Sequence, residues 1–188
     1  YDGEQAQRQC VRMLESGPAA GVIGTQALCD ALGMENAIAF DMGGTTAKAG
    51  VIHHGEALTT GSALIGGYER ALPIQIAMMD IFEVGTGGGS IARIADEGGL
   101  RVGPQSAGAQ PTVTDANVVL GRLSPDRFLG GEMALDVAAA ESAVDNKIGA
   151  PLGLGTVEAA QGILRIAVTA MSHAVKAVTT ERGLDAGD

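Results

Sequence analysis

The segment Phe40-Asp41-Met42-Gly43-Gly44-Thr45-Thr46 combines a carboxylate, two glycines and two hydroxyls within seven residues. It includes the end of the apolar run Ala37-Ile38-Ala39-Phe40, which predicts a strand that is buried on both faces and delivers Asp41 into a glycine turn. Glycines let backbone amides approach an anion, threonine hydroxyls donate to phosphate oxygens, and a carboxylate at a strand end holds hydrated Mg²⁺ or orients water. The segment is a candidate phosphate site; the alternative is a β-hairpin turn whose Asp and Thr satisfy their own backbone.

A second glycine cluster, Gly85-Thr86-Gly87-Gly88-Gly89, follows downstream. It does not match the dinucleotide fingerprint, because G-x-G-x-x-G would require glycine at Ser90, and the chain contains no G-x-x-x-x-G-K-[ST]. Two interpretations stay open. The cluster is a bend between strands that needs positive φ, or a backbone wall around a bound ligand to which Gly87 and Gly88 contribute.

Other carboxylates are candidates for the same cleft. Asp80 closes an apolar strand predicted over 73–79, and Glu83 follows it shortly before the glycine cluster. Asp115 either favours the start of a short helix electrostatically or points toward the cleft entered by Asp41. His53, His54 and His173 are the only histidines, and no paired-cysteine or H-E-x-x-H pattern accompanies them, so a zinc site is disfavoured.

These residues must be positioned by helices and hairpins of recognisable pattern. Ser16-Gly17-Pro18 predicts a helix start with Ser16 as N-cap, and Gly33 predicts its end. The other predicted elements are a hairpin with its tip at His54-Gly55, a hairpin of 90–95 with 100–102, a surface loop over 103–111, a helix over 115–120 capped by Thr114, an Ala-rich helix over 135–148 and a long helix over 156–183. Strands and hairpins flanked by helices indicate a mixed α/β fold.

Composition narrows the function classes. The 188 residues carry 22 acidic and 12 basic side chains, a net charge of -10, which argues against nucleic acid or an anionic membrane as partner. No apolar run approaches the roughly 18 residues of a membrane span. Two isolated cysteines and 46% hydrophobic residues predict one ordinary domain in a reducing compartment, and we expect a cytoplasmic protein.

Four segments together, in their order and spacing, resemble one family. They are Ser16-Gly17-Pro18-Ala19-Ala20-Gly21, Phe40-Asp41-Met42-Gly43-Gly44-Thr45-Thr46-Ala47-Lys48, Gly85-Thr86-Gly87-Gly88-Gly89-Ser90-Ile91-Ala92 and Pro111-Thr112-Val113-Thr114-Asp115-Ala116-Asn117. The family they resemble is hydantoinase A/oxoprolinase, which includes N-methylhydantoinase, 5-oxoprolinase and the nucleotide-binding subunits of acetone and acetophenone carboxylases. The resemblance covers most of the chain.

The resemblance implies an actin-like, ribonuclease H-type ATPase fold whose two related halves close around the cofactors, ATP and Mg²⁺. It assigns phosphate contacts to Gly43, Gly44, Thr45 and Thr46, the metal to Asp41, and a charge-offsetting role to Lys48. Gly87 and Gly88 would line the cofactor, and Asp41, Asp80 and Asp115 would be catalytic. The sequence departs from the family in two places: many relatives carry Asp where Lys48 stands, and a glycine- and cysteine-bearing loop is missing between Ala109 and Gln110.

The implied activity is ATP-dependent hydrolysis of a cyclic amide, through phosphorylation of the amide oxygen. A ketone carboxylase subunit and a non-catalytic nucleotide-binding domain of the same fold are the alternatives. A hydantoinase B-type subunit or domain is the expected partner. The chain is expected to be one internal piece of the family domain, with the first phosphate turn and the adenosine-contacting segment lying outside it, so the isolated chain should be inactive.

Overall fold

The computed structural model describes residues 3–8, 10–13, 15–65, 72–75, 77–106 and 110–187, and its architecture is mixed α/β, as predicted. The helices are α1 (Gly3–Arg8), α2 (Ser16–Leu32), α3 (Val113–Val119), α4 (Val137–Val144), α5 (Ala150–Leu152) and α6 (Thr156–Val178). The strands are β1 (Ala37–Met42), β2 (Ala47–His53), β3 (Glu56–Ala57), β4 (Thr59–Thr60), β5 (Ala63–Ile65), β6 (Leu72–Ile74), β7 (Met78–Met79), β8 (Ile81–Val84), β9 (Ser90–Ile94) and β10 (Leu100–Ser106).

The chain folds into two compact units, and each is discontinuous in sequence. The first contains Tyr1–Asp41, Lys48–Glu83 and Ala174–Asp188. The second contains Met42–Ala47 and Val84–His173. The glycine turn after Asp41 thus belongs to the second unit, whereas Asp41 and Lys48 belong to the first.

The first unit is built on the sheet in which β1, β2 and β3 are neighbours and β8 also pairs with β2. Strand β2 is largely buried, and α2 packs against it so closely that a Cβ on Gly50 would lie 2.6 Å from Val22 Cγ2. The hairpin between β2 and β3 turns at His54 and Gly55, with φ of 52° and 80°. Two positive φ values suit a tight turn that follows the twist of the strands, so the predicted hairpin tip is confirmed.

The second unit has an aliphatic core between β9 and three helices. Its buried members come from β9, α3, α4, the turn after α4, and α6: Ala92, Val113, Ala116, Val144, Ile148, Ala159, Ala160, Ile163, Leu164 and Ala167. The predicted hairpin of β9 with β10 is confirmed, with Leu100 opposite Ile94 and Val102 opposite Ala92. Strand β10 continues to Ser106 rather than ending at Val102, so the loop predicted over 103–111 is wrong in its first part, and residues 107–109 lie outside the described residues.

Two helix caps differ from their predicted positions. Helix α2 begins at Ser16, but its N-cap is Glu15, whose φ of 57° is left-handed and whose side chain makes no cap bond. Helix α3 is capped by Thr112 and not by Thr114, because a capping box joins Thr112 to Asp115. The predicted stop at Gly33 is confirmed, with a φ of 67° and a bond from the Met34 amide to the Cys29 carbonyl.

Two strand predictions are corrected. Strand β1 is not buried on both faces: it lies at the edge of its sheet, and Phe40 is 43% exposed. The single strand expected over 73–79 is two strands, β6 and β7, which pair with β5 and β4 respectively. Pro73 lies in the two-stranded β5–β6 ladder, where the missing N–H of proline is tolerated.

The helix predicted over 135–148 changes form along its length. It is α-helical over Val137–Val144, π-helical over Asp145–Gly149 and α-helical again over Ala150–Leu152. The long helix α6 ends at Val178, and a 3₁₀ turn at Thr180–Arg182 leads to Gly183, the predicted stop. In the part of the chain that the structure describes, no helix combines the length and apolar character needed to cross a membrane.

Candidate functional site

The glycine turn joins β1 to β2 and offers several hydrogen-bond donors. The Gly43 amide donates to the Thr46 carbonyl at 2.9 Å, which closes the turn. Gly43, Gly44 and Thr45 are exposed. Among the described residues, no hydrogen bond engages the amides of Gly44 and Thr45 or the Thr45 hydroxyl. The turn therefore presents amide and hydroxyl donors of the kind that bind phosphate oxygens.

The second glycine cluster is hydrogen-bonded to this turn within the same unit. The Gly88 amide donates to the Gly43 carbonyl at 3.0 Å, and the Gly89 amide donates to the Gly44 carbonyl at 2.6 Å. The Gly87 amide donates to the Ser90 hydroxyl at 2.9 Å. The amides of Gly87 and Gly88 thus donate to protein acceptors. The cluster amides of Gly88 and Gly89 bind the turn through the turn's carbonyls, those of Gly43 and Gly44. A direct contact of Gly87 or Gly88 with a cofactor stays a prediction.

Gly87 lies where the two segments leave no room for a side chain. A Cβ at Gly87 would lie 2.5 Å from the Gly43 carbonyl oxygen and 2.8 Å from the Thr45 nitrogen, so no other residue fits without a backbone shift. Its φ is not positive, nor is that of any other glycine in Gly85–Gly89. The interpretation of the cluster as a bend needing positive φ is therefore wrong. Glycine is required by close backbone contact.

The start of α3 reaches the same cluster. Thr114 donates to the Gly88 carbonyl from its amide at 2.8 Å and from its hydroxyl at 2.9 Å. One Asp115 oxygen accepts from the Thr112 amide at 2.8 Å and from the Thr112 hydroxyl at 2.7 Å. The structural interpretation of Asp115, at the helix start, is thereby satisfied, and its catalytic role stays a prediction. Three of the four segments singled out in the sequence meet in this unit.

In the first unit, Lys48 lies between two carboxylates. Its Nζ is 3.2 Å from Glu83 Oε1 and 3.8 Å from Glu15 Oε2, and its side chain is 17% exposed. Glu83 is on β8, next to β2, and Glu15 immediately precedes α2. The ammonium is held in place by partners on both sides. Lys48 and its two carboxylate partners together carry a net charge of about -1, whereas Lys48 alone would carry +1.

Asp41 lines a small cavity of about 90 Å³ with Lys48 and the first turns of α2, so the segment that begins at Ser16 meets the end of β1. No hydrogen bond or salt bridge to a described residue engages the exposed Asp41 carboxylate. The described residues contain no group of three or more His, Cys, Asp or Glu side chains that would hold a metal ion. Mg²⁺ usually binds through one or two carboxylates together with phosphates and waters, and Asp41 offers one such carboxylate; its role as a metal ligand stays a prediction.

Asp80 is engaged elsewhere in the first unit. It is buried, one of its oxygens accepts from Arg182 Nη2 at 2.7 Å, and Arg182 Nη1 contacts the other. This two-point pair satisfies a buried carboxylate, which would otherwise be destabilising. The pair with Arg182 is enough to explain why position 80 carries a carboxylate, without any ligand. The catalytic role of Asp80 stays a prediction.

The sequence did not predict the residues that contact the candidate side chains from distant positions in the chain. Arg182 lies 102 positions from Asp80, and Glu15 lies 33 positions before Lys48, so no local pattern links them. Ser90, fully buried, was noted only because it is not glycine, although its hydroxyl orders Gly87. Its position directly after a glycine cluster, inside an apolar strand, was the one signal available.

Comparisons with known proteins agree on one family. The sequence profile described as hydantoinase/oxoprolinase matches residues 1–188. The acetophenone carboxylase gamma subunit of Aromatoleum aromaticum is 38% identical, over 92% of this chain and 25% of that subunit. A solved ATP-dependent caprolactamase from Pseudomonas jessenii is 34% identical with a TM-score of 0.73, covering 89% of this chain and 25% of that one. A nucleotide-free acetone carboxylase structure gives a TM-score of 0.77 at 31% identity, over 90% of this chain and 25% of that one. The chain spans about a quarter of the length of these relatives.

Proposed function

The chain belongs to the hydantoinase/oxoprolinase family, which includes ATP-dependent enzymes, and we propose that it forms part of the ATP-using subunit of a cyclic amide hydrolase. One observation carries this proposal: among the described residues nothing engages the amides of Gly44 and Thr45 or the Thr45 hydroxyl, while the carbonyls of Gly43 and Gly44 are bonded to the second glycine cluster. Donors that are fixed before a ligand binds need no reorganisation when it does, which is what phosphoryl transfer requires of a protein.

The proposed roles follow from the groups that each residue presents. The amides of Gly44 and Thr45 and the hydroxyls of Thr45 and Thr46 contact phosphate oxygens. Asp41 holds hydrated Mg²⁺ or orients water, because its carboxylate is exposed and stands two positions before the turn. A ring amide is a poor electrophile. When bound, ATP would supply the phosphoryl group that turns the amide oxygen into a leaving group.

We infer the actin-like, ribonuclease H-type fold from the family resemblance, and the mixed sheet and two discontinuous units support it. The cavity beside Asp41 is about 90 Å³, well below the size of pockets that enclose drug-sized ligands, about 300 Å³ or more. We propose that other parts of the intact protein complete the nucleotide site by supplying the first phosphate turn and the adenosine contacts. A hydantoinase B-type subunit is the proposed partner, and the cytoplasm the proposed location.

The roles of the turn are tested by Asp41→Asn and Thr45→Val in the intact protein. Each variant should lower kcat/KM for Mg-ATP, because a charged or hydroxyl contact is lost. The fall should correspond to a loss of about 1 to 3 kcal/mol of transition-state stabilisation. Thr59→Val is the matched control, since Thr59 is an exposed strand residue outside both glycine segments. Unchanged kinetics in both site variants would discard the phosphate assignment.

A ketone carboxylase subunit is the second candidate, favoured by the 38% identity to the acetophenone carboxylase subunit. The two activities are separated by measuring ATP hydrolysis with the partner subunit present. Stimulation by hydantoin, 5-oxoproline or caprolactam without bicarbonate supports the hydrolase. Stimulation by a ketone only when bicarbonate is present supports the carboxylase, and nucleotide binding that no substrate stimulates indicates a non-catalytic domain.

A further inference from the structure

The second unit contains an open cavity of about 510 Å³. Its described lining includes no residue of Gly43–Thr46 or Gly85–Gly89. It is lined by Ile91, Arg93, Ile94, Gln110 and Lys147. Two of these side chains are cationic, one is an amide and two are aliphatic, and the described lining includes no acidic side chain. The described lining is therefore cationic although the chain as a whole carries a net charge of -10.

Arg93 lacks a strong partner within the described residues. It is partly buried on β9, and no hydrogen bond or salt bridge to a described residue engages its guanidinium. The residue directly opposite it on β10 is another cation, Arg101, and like charges placed opposite each other destabilise a sheet. Arg101 is itself paired with Glu97. The pKa of Glu97 is lowered mainly by a backbone hydrogen bond and by Arg101, and least by Arg93. Glu97 is therefore the partner of Arg101 rather than of Arg93.

Lys147 reaches the cavity from an unusual helical segment. It lies in the π-helical turn Asp145–Gly149, and single π-turns occur frequently at functional sites. The turn is held by the Thr156 hydroxyl, which donates to Asp145 Oδ1 at 3.0 Å. A Cβ at Gly149 would lie 3.0 Å from the Leu154 carbonyl oxygen, so the turn is also packed tightly. In the described part of the chain, no hydrogen bond or salt bridge engages the exposed Lys147 ammonium.

We propose that this cavity binds a small organic carboxylate. The planar fork of Arg93 matches the two oxygens of a carboxylate, and Lys147 adds a second positive charge. Ile91, on the same face of β9 as Arg93, provides apolar surface for the body of the ligand, which an inorganic anion would leave unused. Gln110 offers both a donor and an acceptor to a further polar group. The volume falls within the range of about 300 to 1,000 Å³ that is usual for small-molecule sites.

The proposal is tested by calorimetric titration of the intact protein, without nucleotide, with hexanoate, acetate and inorganic phosphate. Hexanoate should bind at least about tenfold more tightly than acetate, because its additional methylene groups are buried against Ile91 and the aliphatic stems of Arg93 and Lys147. Arg93→Met and Lys147→Met should each weaken hexanoate binding about tenfold or more. Arg93→Lys keeps the charge without the fork and should fall between the wild type and Arg93→Met.

Arg122→Met is the matched control, because it removes an exposed cation of the same unit that does not line the cavity. Lys147 is exposed, so Lys147→Met decides the question if Arg93→Met fails to fold. The proposal is overturned if hexanoate does not bind the intact protein, if acetate or phosphate binds as tightly as hexanoate, or if Arg122→Met weakens binding as much as the cavity variants. None of these outcomes depends on ATP use, so the proposal stands or fails separately from the proposed function.

Discussion

Gly87 shows how a single absent side chain shapes the candidate site. The two glycine segments are joined by two hydrogen bonds, from the Gly88 and Gly89 amides to the carbonyls of Gly43 and Gly44, and Gly87 permits that approach. The glycines therefore act first on the backbone of the turn. The donors that this arrangement leaves unengaged, at Gly44 and Thr45, are among those that we propose to contact phosphate.

The first residue-scale prediction concerns Gly87→Ala. The added methyl group meets backbone atoms that cannot move independently, so the substitution should destabilise the fold by about 1 to 3 kcal/mol and reduce ATP turnover. Gly99→Ala is the matched control, because a Cβ there meets nothing within 4 Å. Thermal unfolding and ATPase assays on the intact protein measure both effects. If Gly87→Ala unfolds at the temperature of the wild type, the close approach does not constrain the turn.

A second residue-scale prediction concerns the pair of Lys48 and Glu83. The Glu83 side chain is 43% exposed, so the pair should contribute only about 0 to 1 kcal/mol to stability. If Glu83 orients Lys48 for the nucleotide, Glu83→Gln should nevertheless raise the KM for ATP several-fold, and Lys48→Met should abolish that effect in the double variant. Glu97→Gln, which removes the carboxylate of another exposed pair, should leave the KM unchanged. Equal KM values in wild type and Glu83→Gln would make the pair purely structural.

At the scale of elements, helix α3 is tied to the site by its first turn. Removing the capping box with Thr112→Val should lower stability by about 0.5 to 2 kcal/mol, because the orphan amides at the helix start lose their acceptor. Asp115→Asn should have a smaller effect, since the amide oxygen still accepts hydrogen bonds.

Asp136 provides the comparison, because it caps α4 by accepting from the Ala139 amide at 2.9 Å and is not a site candidate. Asp136→Ala should destabilise without changing kinetics once the protein is folded. A large loss of kcat in Asp115→Asn at unchanged stability would support a catalytic carboxylate. Parallel behaviour of Asp115→Asn and Asp136→Ala in stability and kinetics would leave Asp115 as a cap alone.

The elements that could be predicted from sequence are those with local causes. Gly33 and His54-Gly55 mark their turns because glycine adopts left-handed φ, and the β9–β10 hairpin follows from two short apolar runs around a polar turn. The exposure of β1 and the separate pairing of β6 and β7 depend on which strands are neighbours in the folded sheet. The π-turn after α4 depends on packing at Gly149. The same distinction holds at the site, where the donors of the turn were predicted and the partners of Asp80 and Lys48 were not.

At the scale of the whole molecule, the pair of Asp80 and Arg182 joins positions about half the chain apart. Arg182→Met should destabilise the protein by about 1 to 3 kcal/mol, because it leaves a buried carboxylate without its counter-charge. Asp80→Asn combined with Arg182→Met should recover part of that loss. Arg165→Met, which removes an exposed cation from α6, should change stability little.

Chemical denaturation of the four proteins measures this prediction. It is contradicted if Arg182→Met is as stable as Arg165→Met. If Asp80 also serves catalysis, the double variant should remain inactive at full occupancy of the folded state. Recovery of activity together with stability would restrict Asp80 to its structural role.

The discontinuous make-up of the two units sets an order on their formation as the polypeptide leaves the ribosome. Every residue of the second unit has been translated once His173 is added, whereas the first unit still lacks Ala174–Asp188. Asp80 is by then already present, whereas its counter-charge, Arg182, is translated only after the last residue of the second unit. All residues of the second unit are therefore available before the first unit can form the contact between Asp80 and Arg182. A pause in translation shortly before Arg182 would hold a nascent chain in which the Asp80 carboxylate lacks this counter-charge.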